Sequence, residues 1–268
     1  MSDLISAQPA PAADQRIAYG VHPLQFGDLR VPDGVGLHPL IIVVHGGFWR
    51  AKYDLAYMGH LCAALAVRGV ATWNIEYRRI GHDGGGWPNT FLDVAHAADY
   101  VRELAPRFAL DLTRVIATGH SAGGHLALWL AARHRLSAAH PLFTLDPLAL
   151  RGVVSLAGVA DLHRAYVLRL SQRVVVELLG GSPKNVPERY AAASPAALLP
   201  LGVRQILLHG TKDGPVPFEI SAEYVQAARA AGDAATLIPL PGAHHFEVVD
   251  PTSREWPSVE AALLELLK

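Results

Sequence analysis

The sequence predicts an α/β protein, a three-layer α/β/α sandwich around a mostly parallel central sheet. Three observations carry that reading. Short β-type apolar runs alternate with longer helical runs along the 268 residues, the pattern of strands joined by crossover helices. The run Leu40-Ile41-Ile42-Val43-Val44 is apolar at every position, as a strand covered on both faces must be. Hydrophobic residues make up 51% of the chain and charged residues 18%, a balance that fills a large core and does not describe a disordered chain.

The elements follow in order. Residues 1–18 read as a flexible N-terminal tail, rich in Ala and Pro at the start, and residues 19–268 as one domain. Phe26 to Val31 is an early strand. The Leu40–Val44 strand ends at His45-Gly46-Gly47. A helix over Met58 to Val67 is stopped by Gly69, where a left-handed residue can end it. Val70 to Ile75 is the next strand, and a Gly-rich loop from Gly81 to Trp87 leads to Pro88. Thr90 to Leu104 reads as one helix closed by Pro106. Arg114 to Thr118 is a strand running straight into Gly119, and Ala122 to Arg135 is rich in strong helix formers. Val153–Leu156, Gln205–Leu208 and Ala235–Leu240 read as strands, Phe218–Ala231 and Trp256–Leu267 as helices. From about 161 to 201 the alternation fails. Helical fragments, Gly180-Gly181 and four prolines suggest a small cap-like insertion over the C-terminal edge of the sheet.

Composition excludes several functions. A formal net charge of -1 offers nothing to a polyanion, so no nucleic-acid partner is expected. No apolar run approaches the roughly 18 residues of a membrane span, and the first residues lack a signal-peptide pattern, so no membrane association and a cytoplasmic location are expected. The single cysteine, Cys62, cannot form an internal disulfide and reads as a buried thiol on its helix. No histidine pair has ligand spacing with carboxylate or thiol support, so neither metal nor other cofactor is expected. A homodimer is left open.

Gly119-His120-Ser121-Ala122-Gly123 matches Gly-x-Ser-x-Gly. The bare pattern is weak, but a buried-type strand precedes it and a helix follows. That context lets a strained turn present a serine hydroxyl with a helix N-terminus aimed at the same spot. A serine nucleophile needs a base, and the base needs an orienting acid. Asp213 follows the strand Gln205–Leu208, and the pair His244-His245 follows the strand Ala235–Leu240. Neighbouring loop side chains point apart, so only one of the two histidines can face Ser121. His120 is read as a packing or hydrogen-bonding residue. The loop after Val44 is placed to supply backbone donors for an oxyanion, together with the N–H of Ala122.

Taken together, the chain resembles the esterase/arylformamidase branch of the α/β-hydrolase superfamily, kynurenine formamidases included, near the hormone-sensitive-lipase-like esterases. The motifs that carry the resemblance are His45-Gly46-Gly47-Phe48-Trp49, Gly119-His120-Ser121-Ala122-Gly123-Gly124-His125, His209-Gly210-x-x-Asp213-x-x-Val216-Pro217 and Gly242-x-x-His245-Phe246. The resemblance implies the α/β-hydrolase fold, the triad Ser121, Asp213 and His245, and oxyanion donors at Gly47, Phe48 and Ala122. It also implies that Asn74 to Arg78 is structural. Trp49 and Trp87 are expected as walls of a substrate pocket. The expected substrates are small carboxylic esters or aryl formamides such as N-formylkynurenine. A serine oligopeptidase and a non-catalytic binding protein are the rival readings. Two positions depart from the family pattern: Phe48 where a third glycine is common, and Gly214 where many relatives carry a second acidic residue.

Overall fold

A computed structural model describes residues 9–268 of the chain. Eight strands form one sheet: β1 (Gln15–Ala18), β2 (Phe26–Arg30), β3 (His38–Val44), β4 (Ala71–Ile75), β5 (Leu110–His120), β6 (Gly152–Leu156), β7 (Arg204–Gly210) and β8 (Ala235–Leu240). Their order across the sheet is β1-β2-β4-β3-β5-β6-β7-β8. The pairs β1–β2 and β2–β4 are antiparallel, and every pair from β4 to β8 is parallel.

The apolar strands sort their side chains by the two-residue period of a pleat. Leu40, Ile42 and Val44 face one core, while Ile41 and Val43 face the other. The second core is closed by α1 (Gly59–Val67) and by the C-terminal helix Trp256–Glu265. The first is closed by α2 (Asn89–Asp99), α3 (Val101–Phe108) and α4 (Ala122–Ala132), among others. Helix α4 is buried at every residue, which is why its sequence is apolar all round instead of striped. Cys62 is buried in α1, and burial pushes its thiol up to about 11, so it stays protonated at neutral pH. Among the described residues, no helix is long and apolar enough to cross a membrane.

Three expectations need correction. Part of the 1–18 tail is a strand: Gln15–Ala18 pairs with β2, with Arg16 bridged to Asp28 across the two strands at 2.7 Å. Four residues with one apolar side chain packed inward leave too weak a pattern to read. Residues 1–8 lie outside the described residues. The helix expected over Thr90–Leu104 is two helices that meet at Tyr100, and Pro106 does not close the second. Pro106 sits inside α3 on its exposed side, where the carbonyl it leaves unpaired can meet water. The chain turns instead at Ala109, which is left-handed with φ 52°.

The segment 161–201 joins β6 to β7. It folds as α5 (Leu162–Val167), α6 (Leu170–Leu179), α7 (Pro187–Ala193) and a short turn at Pro195–Leu198. It is anchored to the body through α4: the carbonyls of Ala192 and Ala193 accept hydrogen bonds from Trp129 and His125. The next helix, α8 (Phe218–Ala230), follows β7.

Candidate active site

Parallel strands bring their C-terminal ends to one edge of the sheet, and open α/β folds bind ligands there. Here β3 ends at the His45-Gly46-Gly47 loop, β5 at Ser121, β7 at the Asp213 loop and β8 at the His245 loop. Val44 lies level with Gly119, and Gly210 level with Leu240. Segments distant in sequence therefore converge on one spot.

Ser121 occupies the turn between β5 and α4 with φ 57° and ψ -119°. This backbone region is rare for a non-glycine residue and costs about 1–3 kcal/mol. It is held by the Ser121 N–H, which donates to the Leu156 carbonyl at 2.8 Å, and by the N–H of His125, which donates to the Ser121 carbonyl at 3.1 Å. The two motif glycines are needed for space. A Cβ on Gly119 would lie 2.2 Å from the Gly123 carbonyl oxygen, and one on Gly123 would lie 2.0 Å from that of Val44. The turn therefore presses directly against β3, and this close approach sets Ser121 beside the loop that follows Val44.

The two later loops are stitched to each other. Lys212 N–H donates to the Ala243 carbonyl at 2.9 Å, and Gly242 N–H donates to the Thr211 hydroxyl at 2.9 Å. Across this seam His245 Nδ1 lies 2.6 Å from Asp213 Oδ2. His244, its neighbour, is exposed to solvent. The structure thus pairs His245, and not His244, with the acid.

Asp213 holds more than one partner. Its Oδ1 accepts from the Val216 N–H at 2.8 Å, and its Oδ2 also lies 3.2 Å from His209 Nε2. His209 is fully buried, with Nδ1 2.7 Å from the Ser221 hydroxyl and Nε2 2.9 Å from the Val216 carbonyl. Because Nε2 faces only acceptors, the network assigns its proton there, and Ser221 donates to Nδ1. Burial by itself would raise the Asp213 carboxyl. The hydrogen bonds from His209 and His245 outweigh it and hold the group well below the usual carboxylate range. With Asp213 on Nδ1, Nε2 is the His245 ring nitrogen that the acid does not hold.

His209 was visible in the sequence only as part of a motif, with no role attached. Its signal is its spacing, four residues before Asp213 across a tight turn. Glu76 was read as structural, and it braces the glycine loop: its carboxylate lies 3.0 Å from His45 Nε2 and 2.8 Å from Arg79. Its neighbour Tyr77 donates its hydroxyl to the His45 carbonyl at 2.8 Å.

Gly47, Phe48, Tyr53, Tyr57, His120, Ser121, Pro215, His245 and Phe246 line one cavity of about 100 Å³. Gly47 and Phe48 both have positive φ, 108° and 52°. Ala122 is the first residue of α4, so its N–H has no intrahelical acceptor and points out of the helix end. All three expected oxyanion donors thus sit on or beside this cavity.

The two expected pocket walls do not line it. Trp49 is fully buried and donates its indole N–H to His125 Nδ1 at 3.2 Å. Its left-handed backbone, φ 55°, turns the ring under the loop and into the core. Trp87 packs edge-on against Phe91 and His140, with the Arg189 guanidinium over its ring. Aromatic residues in the right loop are a signal for either place, and packing took both. The walls are instead Phe48, Tyr53, Tyr57 and Phe246, none of which the sequence had placed there as a wall. Among the described residues, no group of three or more His, Cys, Asp or Glu side chains is arranged to hold a metal ion.

Solved structures share this architecture. A truncated carbohydrate esterase from gut microbiota superposes with a TM-score of 0.80 at 22% identity, over 96% of each chain. The esterase Est2 of Thermogutta terrifontis, with propionate bound, superposes with a TM-score of 0.74 at 25% identity, over 96% of this chain and 92% of that one. Among curated proteins, the chain is 29% identical to Esterase LipC of Mycobacterium tuberculosis, over 94% of its own length and 64% of the relative's. It is 26% identical to the isoprenylcysteine alpha-carbonyl methylesterase ICME of Arabidopsis thaliana, over 87% and 56%. The chain thus spans about half to two thirds of the length of these curated relatives. The BD-FAE family profile matches residues 28–227, three quarters of the chain. With the sheet order, the serine turn and the paired acid and base loops in place, this chain belongs to the BD-FAE family and has the α/β-hydrolase fold.

Proposed function

We propose that the chain hydrolyses small carboxylic esters through an acyl-serine intermediate. The observation that carries this is one cavity lined by both Ser121 and His245, with His245 held on Asp213 at 2.6 Å. In the first step His245 Nε2 takes the Ser121 proton as the hydroxyl oxygen attacks the ester carbonyl. The developing oxyanion sits among the N–H groups of Gly47, Phe48 and Ala122, where preorganised donors contribute most. His245 then gives its proton to the departing alkoxide, leaving an acyl-serine and an alcohol. Water repeats the sequence and releases the acid.

The esterase names of the relatives support the ester over the formamide. The formamide reading drew on the likeness of the His45–Trp49 loop to that of kynurenine formamidases, and the Trp49 ring of that loop lies in the core, away from the cavity lining. A small cavity walled by Phe48, Tyr53, Tyr57 and Phe246 suits a short acyl group.

The test is a side-by-side kcat/KM for p-nitrophenyl acetate, p-nitrophenyl octanoate and N-formylkynurenine. Acetate should lead octanoate by at least tenfold, and N-formylkynurenine should trail both. A lead for N-formylkynurenine overturns the ester reading. Ser121→Ala should lower ester turnover by about 10³-fold or more; retained activity would overturn the acyl-serine route.

A further inference from the structure

One chain of hydrogen bonds links the base loop to the glycine loop without passing through Ser121. It starts at the His245 carbonyl, which lies 2.9 Å from His120 Nε2. His120 Nδ1 lies 3.0 Å from the Tyr57 hydroxyl, and that hydroxyl accepts from the Gly46 N–H at 2.6 Å. Every proton on this path is determined. A carbonyl only accepts, so His120 carries its proton on Nε2, and Nδ1 is left as an acceptor. The Tyr57 hydroxyl must then donate to Nδ1 and turn a lone pair toward Gly46. Burial, followed by the neighbouring His245, holds His120 well below the ordinary histidine range. Burial likewise raises the Tyr57 hydroxyl. Both groups stay neutral through the working pH range, so the polarity of the chain does not reverse.

Gly46 is where this matters. A Cβ there would lie 2.6 Å from the His120 carbonyl oxygen and 3.0 Å from Ser121 Cβ, so the glycine rests against the nucleophile turn. The next two residues are the proposed oxyanion donors, and both have positive φ. The carbonyl of the Gly46–Gly47 peptide lies 2.8 Å from His45 Nδ1 and that of the Gly47–Phe48 peptide accepts from the Arg50 N–H at 3.0 Å, which leaves the N–H of the His45–Gly46 peptide to be fixed. The Tyr57 hydroxyl holds it, and His120 fixes the direction in which that hydroxyl points.

We infer that Tyr57 and His120 are positioning residues that lock the oxyanion loop to the backbone of the base residue, so that Gly47 and Phe48 present their N–H groups before substrate arrives. This rests on the serine-hydrolase reading and deepens it. His120 lies inside the Gly-x-Ser-x-Gly motif, and its place there is explained by what its ring joins. Tyr57 comes from a turn of 3₁₀ helix at Leu55–Met58 that no motif marks.

The test uses the full chain and two readouts: steady-state hydrolysis of p-nitrophenyl acetate, and the second-order rate at which a fluorophosphonate probe labels Ser121, followed by intact mass. Tyr57→Phe keeps the ring and its edge contacts with His120 and Phe246 and removes only the hydroxyl. Its kcat and its labelling rate should both fall by about 10- to 100-fold, short of the loss of a whole oxyanion donor, with KM within about twofold. A folded Tyr57→Phe protein with both rates within twofold of the parent overturns the inference, and so does an effect confined to KM. A second pair of variants decides if Tyr57→Phe does not fold. His120→Asn sets an acceptor near the Nδ1 position and keeps the Tyr57 contact, whereas His120→Gln reaches toward the His245 carbonyl and gives that contact up. His120→Asn should keep at least fivefold more labelling rate than His120→Gln; equal rates overturn the inference. Labelling without ester turnover in the parent would sink the ester reading and leave this comparison intact. A parent chain that takes neither ester nor probe overturns both.

Discussion

His245 meets Asp213 at 2.6 Å at one side of the site, and His45 meets Glu76 at 3.0 Å beneath the other. Both are buried histidine–carboxylate pairs, and both lie just past a strand. They differ in what the second ring nitrogen faces. His245 lines the cavity that also holds Ser121. His45 has Nδ1 2.8 Å from the Gly46 carbonyl and Nε2 on Glu76, so both of its nitrogens are spent on the protein. Their carboxylates differ as well. Asp213 is fed by two histidines and the Val216 N–H, and Glu76 is shared with Arg79 and the Tyr77 N–H. The first pair leaves a ring nitrogen to the cavity, where the proposed chemistry needs it, while the second gives both nitrogens to the protein. A histidine beside a carboxylate is therefore a catalytic signal only when one ring nitrogen is left facing open space.

Removing each histidine should separate the two roles. His245→Ala should lower kcat/KM for p-nitrophenyl acetate by about 10³- to 10⁴-fold, or about 4–5.5 kcal/mol of transition-state stabilisation. Its urea unfolding midpoint should fall as well, because the buried Asp213 loses one of its partners, but the activity loss should far exceed any loss of folded protein. His45→Ala should do the reverse and act first on stability. It leaves the Glu76 carboxylate buried without one of its partners, at a cost of about 3–4 kcal/mol, the low end for a broken buried pair because Arg79 remains. Chemical denaturation with a coincident activity assay reads both variants. A His45→Ala protein of parental stability would erase the distinction.

The sequence made one half of this comparison legible and not the other. Ser121, Asp213 and the pair His244-His245 could be singled out because each follows an apolar strand in a fixed order along the chain, and the choice of His245 within the pair came from the family resemblance. Strand runs such as Leu40–Val44 are visible locally, and the site inherits their edge. Glu76 and Tyr57 could not be given roles that way. Glu76 follows β4, which pairs with β2 and β3 and carries no residue of the proposed triad, and Tyr57 sits in an isolated helical turn. Their work depends on the sheet bringing separate loops together, and no local period encodes that. Trp49 failed for the opposite reason. Its loop was read correctly, but the direction of its side chain follows from a left-handed backbone that the sequence does not show.

A third histidine extends the comparison to pH. His125 is fully buried, with Nδ1 accepting from Trp49 and Nε2 donating to the Ala193 carbonyl. It thereby ties the loop after Gly47 to helix α4 and to the 161–201 segment. Burial lowers it to about 4, against the weaker pull of the Ala193 carbonyl. Below the ordinary value of 6.5, the unfolded chain binds a proton that the folded chain refuses until about pH 4. Stability is therefore complete above about 6.5 and falls as the pH drops through that window, by about 3 kcal/mol for this group. His120 adds to the same trend. The depressed Asp213 carboxylate loses its contribution only at still lower pH. His125→Gln keeps a donor for the Ala193 carbonyl at the Nε2 position, gives up the acceptor that Trp49 uses at Nδ1, and does not titrate. Its unfolding free energy, measured in urea at pH 4.5, 5.5 and 7, should therefore vary less steeply than the parent's. An unchanged slope would mean that the acid sensitivity comes from elsewhere.

The smallest effect belongs to the residue that most resembles the base in sequence. His244 and His245 are adjacent, follow the same strand and share the same loop. The chain between them reverses side-chain direction, so His245 turns inward to Asp213 and His244 outward to water. His244 brings no side chain to the cavity lining, and its carbonyl only packs against the turn at Gly210. His244→Ala should change kcat/KM by no more than about twofold and stability by less than about 0.5 kcal/mol, as for an ordinary surface substitution. The number is small, but it is the control on which the catalytic assignment depends. A tenfold loss in His244→Ala would mean that the loop slides in solution and that the two histidines exchange places. The 2.6 Å contact would then describe one of two states, and the comparison with the fully committed His45 would have to be redrawn around a mobile base.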